Sequence, residues 1–336
     1  MPSLRIQFRG AETGALVDQL DIRILRELTQ ADALWPAKLG PPASYREIAR
    51  RVGVSYSTIH NRIQSMMESG FLRGIGVYVN PLLLGLEAGS YVVEIPRAGT
   101  KARLIDRIRD IPGVIFFENF RGSLLGLGIM YEDARRLEAR LSRIDRICES
   151  ERGTFSRVTF PPTDVALAPG DWKLIQVLMS RGLLSYDRLA EELGVPVRTL
   201  KRRLSKLVHT HAILTYPRMD YRGLEGGIAS ELLVEFRSPE ARASGEAKIR
   251  QRIGEWVTFV GVWEKFDMFR LILPNTRMVN DLALEIGRYP EIRTVRPELV
   301  DEVIDRFQAL LPYVERRLKA RGGSPAPRVS VRRGAR

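Results

Sequence analysis

Tyr56, Ser57, Thr58, His60, Asn61 and Arg62 lie almost consecutively in the chain. Arg198, Thr199, Lys201, Arg202 and Arg203 form a second such run, with Lys206 a turn further on. These residue types suit recognition of polar edges more than bond-making. Asparagine pairs with adenine, arginine and lysine pair with guanine or phosphate, and a hydroxyl near a helix N-terminus suits a phosphate oxygen. Arg46, Arg50 and Arg73 stand close by in sequence and fit phosphate contacts. The chain has no phosphate-cradling glycine loop between strand and helix, no paired metal ligands and no nucleophile elbow. Neither a metal nor a cofactor is therefore expected. A solvated basic helix surface would have the same composition, so the reading depends on the elements that hold the two runs.

Those elements are one pattern used twice. Residues 44–73 and 185–214 align without a gap at an offset of 141 residues. Apolar positions correspond at Ile48/Leu189, Val52/Leu193, Ile59/Leu200, Ile63/Leu204, Met66/Leu207 and Leu72/Ile213. Small residues recur at Ala49/Ala190, and a turn glycine recurs at Gly53/Gly194. The spacing predicts a short helix, a tight turn and a second helix in each copy. Ser44 with Glu47 makes a capping-box pattern, and Ser55 caps the second helix. An amphipathic helix is expected over 16–28, a loop over 30–43 and a small hairpin over 71–81. In the second copy the counterparts are a helix over 171–179, a short turn over 182–185 and a shorter wing over 212–221. The first copy has five basic and two acidic residues and the second six and three, distributed differently. Two readers of equal charge and unlike faces imply an asymmetric site in place of a palindrome.

Between and after the modules, alternating segments read β-α-β-β-α-β, over 90–160 and again over 231–298, the ferredoxin-like order. The fold class is thus α+β, a tandem duplication of a winged helix-turn-helix with a ferredoxin-like domain. The expected boundaries are 1–15 flexible, 16–82 first winged module, 83–163 first ferredoxin-like domain, 164–222 second winged module and 223–300 second ferredoxin-like domain. An amphipathic helix interrupted at Pro312 is expected over 301–320, and a disordered basic tail over 321–336. Net charge is +13, and residues 315–336 carry eight basic residues against one acid, so the body is only mildly basic. The single cysteine, Cys148, excludes an internal disulfide and is expected to be a small buried residue. No apolar run has membrane-spanning length, which implies no membrane partner. Trp256, Phe259, Trp263 and Phe266 are spaced too irregularly for a base-stacking platform and read as core or interface.

The runs over 18–28, 48–55, 59–63, 69–72 and Asn80-Pro81 resemble the Lrp/AsnC family of transcription regulators. That resemblance covers about 16–305 as a tandem pair and is more diffuse in the second half, where Pro196 replaces the cap serine. It implies a cytoplasmic, nucleoid-associated regulator that binds double-stranded DNA. In it the ferredoxin-like domains pair within one chain or between chains, with room for an unidentified small effector. It adds weight to Arg62 and Arg203, which follow the reading face. The family's effector turn carries a glycine and an aspartate; residues 121–124 and 265–268 each lack one of them. Siroheme decarboxylases share this architecture and give an alternative, enzymatic reading. Their sites depend on histidine and arginine in the middle strands of the second domain, whereas this chain's histidines are His60, His209 and His211. An architectural DNA binder using the basic tail is a third reading.

Overall fold

A computed structural model describes residues 15–29, 44–182 and 186–319. The lead-in over 1–14, the loop over 30–43 and the tail over 320–336 lie outside the described residues, as do 183–185 of the short turn. The chain opens with β1 (Ala15–Leu16) and α1 (Gln19–Thr29), then α2 (Tyr45–Val52) and α3 (Tyr56–Glu68). Local chemistry sets these helices. The Ser44 hydroxyl accepts from the Glu47 N–H at 3.3 Å, and the Glu47 carboxylate accepts from the Ser44 N–H at 2.8 Å, closing a capping box. Gly53 ends α2 at φ 78°, in the left-handed region. Strand β2 (Leu72–Val79) follows, then β3 (Glu87–Glu94), α4 (Lys101–Arg109), β4 (Val114–Phe120), β5 (Leu124–Tyr131), α5 (Ala134–Cys148) and β6 (Thr154–Val158).

The series then repeats as α6 (Pro169–Arg181), α7 (Tyr186–Leu193), α8 (Val197–His209), β7 (Ile213–Met219) and the short β8 (Leu224–Glu225). It continues as β9 (Ile228–Phe236), α9 (Pro239–Ile253), β10 (Val257–Val262), β11 (Asp267–Leu273), α10 (Thr276–Ile286), β12 (Ile292–Asp305) and α11 (Leu311–Lys319). The two β-α-β-β-α-β units fuse into one antiparallel sheet of eight strands, ordered β10-β11-β9-β12-β4-β5-β3-β6. Two strand edges that would otherwise be exposed are thereby paired with each other.

That fusion corrects one expectation. Residues 301–305 are not helical: β12 runs on from its own unit and pairs with β4, from Val300 opposite Phe120 to Asp305 opposite Phe116. The terminal helix starts only at Leu311. Pro312 stands in its first turn, where a missing N–H costs nothing, and does not interrupt it.

The hairpin expected over 71–81 is also corrected. Residues 72–79 form one continuous strand, and its partner is β7 of the other copy, with Gly76 opposite Tyr216 and Val79 opposite Ile213. Each module gives one strand to a shared wing. Packing follows the same exchange. Helix α1 lies against β10, and β1 pairs in parallel with β8, so the first module rests on the second ferredoxin-like unit. Helix α6 packs on β2 and α11, in a core shared with Ile115, Met130 and Val158 of the first unit.

Candidate nucleic-acid interface

Helices α3 and α8 bury one face and expose the other. Ile59, Ile63 and Met66 are buried in the first copy and Leu200 and Leu207 in the second, which turns the opposite side chains outward. Tyr56, Ser57, His60 and Asn61 are exposed on α3, and Arg198, Lys201 and Arg202 on α8. The duplication places Asn61 and Arg202 at equivalent positions, an amide against a guanidinium. Neither makes an ion pair or side-chain hydrogen bond among the described residues, and the same holds for Arg46 and Arg50 on α2 and for Arg198.

The N-terminus of α3 is organised by hydroxyls. Ser55 accepts from the Thr58 N–H at 3.0 Å, and its Oγ lies 2.8 Å from both the Ser57 and Thr58 hydroxyls. Pro196 cannot supply that group, and the Thr199 N–H donates to the Pro196 carbonyl at 2.9 Å instead. An aromatic pair or its substitute braces each face. Tyr56 and His60 stack at 6.2 Å between centroids, with Tyr45 of α2 tilted against both. At the equivalent positions the Lys201 ammonium lies 5.0 Å over the Tyr186 ring.

Four of the candidate cations have acidic partners within the protein. Arg62 donates to Asp18 at 2.8 Å and to Asp21 at 3.1 Å, which joins α3 to the start of α1. Burial pushes the Asp21 carboxyl up. Burial also opposes ionisation of Asp18, but the Asp21 N–H and the Arg62 guanidinium outweigh it and hold Asp18 below the usual carboxylate range. In the second copy Arg203 lies 4.0 Å from Asp171 and Lys206 donates to it at 3.0 Å. Arg73 pairs with Asp220, whose carboxyl is held low by the hydrogen bond from Arg222.

Sequence reasoning missed a cavity of about 150 Å³ between the eight-stranded sheet and the β2–β7 ribbon. Beside it Arg270, buried, is held by Glu231 and Glu118 on two other strands, one from each copy. A charged residue inside each apolar strand run was the available signal. No histidine is among the described lining residues.

Residues 17–67 match the AsnC-type helix-turn-helix domain. An HTH-type transcriptional regulator of Pyrococcus furiosus is 36% identical over 92 residues, covering 27% of this chain and 55% of that protein. The regulatory protein AsnC of Haemophilus influenzae is 37% identical over 76 residues, covering 23% and 45%. The chain thus spans about half the length of the curated relatives it matches. Among solved structures, the siroheme decarboxylase NirDL aligns at a TM-score of 0.49 and 15% identity, over 90% of this chain and 99% of that one. Escherichia coli AsnC aligns at 0.30 and 24% identity, over 46% and 99%. The matched residues include α1, α2 and most of α3, and so both Asp21 and Arg62. Among the described residues no helix is long and apolar enough to cross a membrane.

Proposed function

We propose that the chain is a sequence-specific DNA-binding transcription regulator, a binding protein and not an enzyme, working among nucleoid DNA in the cytoplasm. One observation carries the reading: α3 and α8 each turn outward a row of polar and basic side chains, of which Asn61, Arg198 and Arg202 have no ion-pair or side-chain hydrogen-bond partner among the described residues, and a shared ribbon ties the two rows together. Asn61 and His60 on one side, and Arg198, Lys201 and Arg202 on the other, read bases in the major groove. Tyr56, Ser57, Thr58 and Thr199 line the groove entrance, and Arg46 and Arg50 meet phosphates. Arg62, Arg203, Lys206 and Arg73 act chiefly by fixing the readers, because each already has an acidic partner. One chain does the work of a dimer. The names of the relatives, transcriptional regulators, support the same reading.

Selection of bound duplexes from a random pool with the full chain tests it. The expected result is a two-part, non-palindromic site. Recovery of unselected sequence, or a perfect palindrome, would overturn the reading.

A further inference from the structure

The cavity beneath the ribbon has a charge balance that identifies what it can hold. Arg270 of β11 is buried, and its Nε donates to Glu231 of β9 at 2.7 Å. Its Nη2 also meets Glu118 of β4, which lines the cavity with Arg270 itself. Two carboxylates therefore share one guanidinium. The second Glu231 oxygen, Oε2, has no hydrogen-bond partner among the described residues. At the rim Arg218 and Asp305 neutralise each other at 3.1 Å. The remaining walls are largely apolar and include rings, with Tyr78 and Tyr216 from the ribbon and Phe259 and Tyr221 beside Arg270.

A buried site with two carboxyl groups for one guanidinium balances its charge with either a proton or a second cation, which disfavours an anion and leaves a neutral guest without an ionic partner. Ring faces attract a cation. A dry engineered cavity of comparable volume holds benzene, which sets the scale of the guest. We propose that this cavity binds a small monocationic amine with a flat apolar body, its ammonium against Glu118 and its body among the rings. Arg270 then keeps Glu231 as its partner. Burial pushes the Glu231 carboxyl well up, with Glu298 adding to the effect, so its proton leaves to the buffer as the amine enters.

The cavity is also placed to pass binding on. Its walls include Thr29 at the end of α1, Tyr78 of β2 and Tyr216 of β7, so a guest bears on both modules through their shared ribbon. This coupling rests on the DNA-binding reading; the amine site itself does not.

Titration calorimetry of the full chain without DNA tests the site, using phenethylamine, with phenylacetate and ethylbenzene as probes of similar shape. Phenethylamine is expected to bind and to give heats that vary with the ionisation enthalpy of the buffer. The other two should bind at least about tenfold more weakly, the worth of one charged hydrogen bond. Glu118→Gln should lose about the same factor. Ala88→Leu, which fills the lining without altering charge, should block phenethylamine if Glu118→Gln fails to fold. Equal binding of ethylbenzene, preference for phenylacetate, no binding of phenethylamine, or its unchanged binding to Ala88→Leu would overturn the proposal. Gel retardation with and without phenethylamine then tests the coupling. A several-fold change in DNA affinity supports it, and an unchanged affinity overturns it. No retardation under either condition would count against the DNA-binding reading alone.

Discussion

Asp21 on α1 holds Arg62 on α3 at 3.1 Å, and the second copy repeats the tie between Asp171 on α6 and Arg203 on α8. The Asp21 and Asp171 side chains are almost wholly buried, while the arginines keep partial solvent access. Such a pair fixes the tilt of a reading helix against its support. Breaking it leaves a charge without its partner, but the arginine's exposure lessens the penalty. Asp21→Asn should cost about 1–2 kcal/mol by chemical denaturation. In a double-mutant cycle with Arg62→Met, the second substitution should cost much less once the first is made. Strict additivity would show that the pair carries no coupling.

The outward residues should separate base reading from backbone attraction. Asn61→Ala and Arg202→Ala should each relax preference at one position of the site, at about 1–3 kcal/mol for the favoured base. Arg46→Ala and Arg50→Ala should weaken all sequences alike and lower the salt slope by about one each. Competition binding at several salt concentrations distinguishes these outcomes. If Asn61→Ala changed only the salt slope, α3 would not be a base reader.

How far the sequence disclosed this arrangement depends on the range of the signal. The helix pairs are legible because their periodicity and caps, such as Ser44 with Glu47, act within a few residues. The β2 segment reads as a hairpin because its glycines imitate one, while its real partner is β7 in the other copy. Residues 301–305 read as helix for a similar reason. Their pairing with β4 depends on two copies of the fold meeting edge to edge, which no local pattern records. Of the site, the exposed faces of α3 and α8 follow from helical phase. The inward ties of Arg62 and Arg203 do not, because they require the position of α1 and α6. The Glu118–Arg270–Glu231 cluster needs three strands drawn from both copies.

Gly76 lies directly opposite Tyr216, and that ring occupies the space a Cβ would need. Tyr216 in turn packs edge-on against Tyr78 and Phe307. Gly76→Val should therefore force the ring out of the ribbon and cost about 1–3 kcal/mol as overpacking. Because the ribbon joins the modules, this variant should lose affinity for the two-part site more than for either half alone. Equal losses on whole and half sites would mean that the ribbon does not set the spacing.

Cys148 ends α5 and is buried, which pushes its thiol up to about 12, with Asp145 adding to the effect. Thiolate is the reactive form, so the native protein should resist iodoacetamide at about pH 8 and react once unfolded. Intact-mass spectrometry before and after denaturant reads this directly. Rapid modification of the native chain would show that the end of α5 opens locally.

Glu231 gives a pH dependence whose sign can be worked out. Burial raises its carboxyl well above the ordinary value, with Glu298 adding to the effect, while Arg270 pairs with it and with Glu118. A raised folded-state value means that the folded chain holds the proton more tightly than the unfolded chain. The stability Glu231 contributes is then fully present below the ordinary carboxylate range and is lost as pH rises through the folded value. Glu231→Gln keeps the shape and removes the titration. Its denaturation midpoint should therefore fall less than that of the parent between about pH 5 and pH 8. If the two profiles run parallel, Glu231 is ionised throughout that range. The amine would then enter the cavity without displacing a proton, and its binding heat would not vary with the buffer.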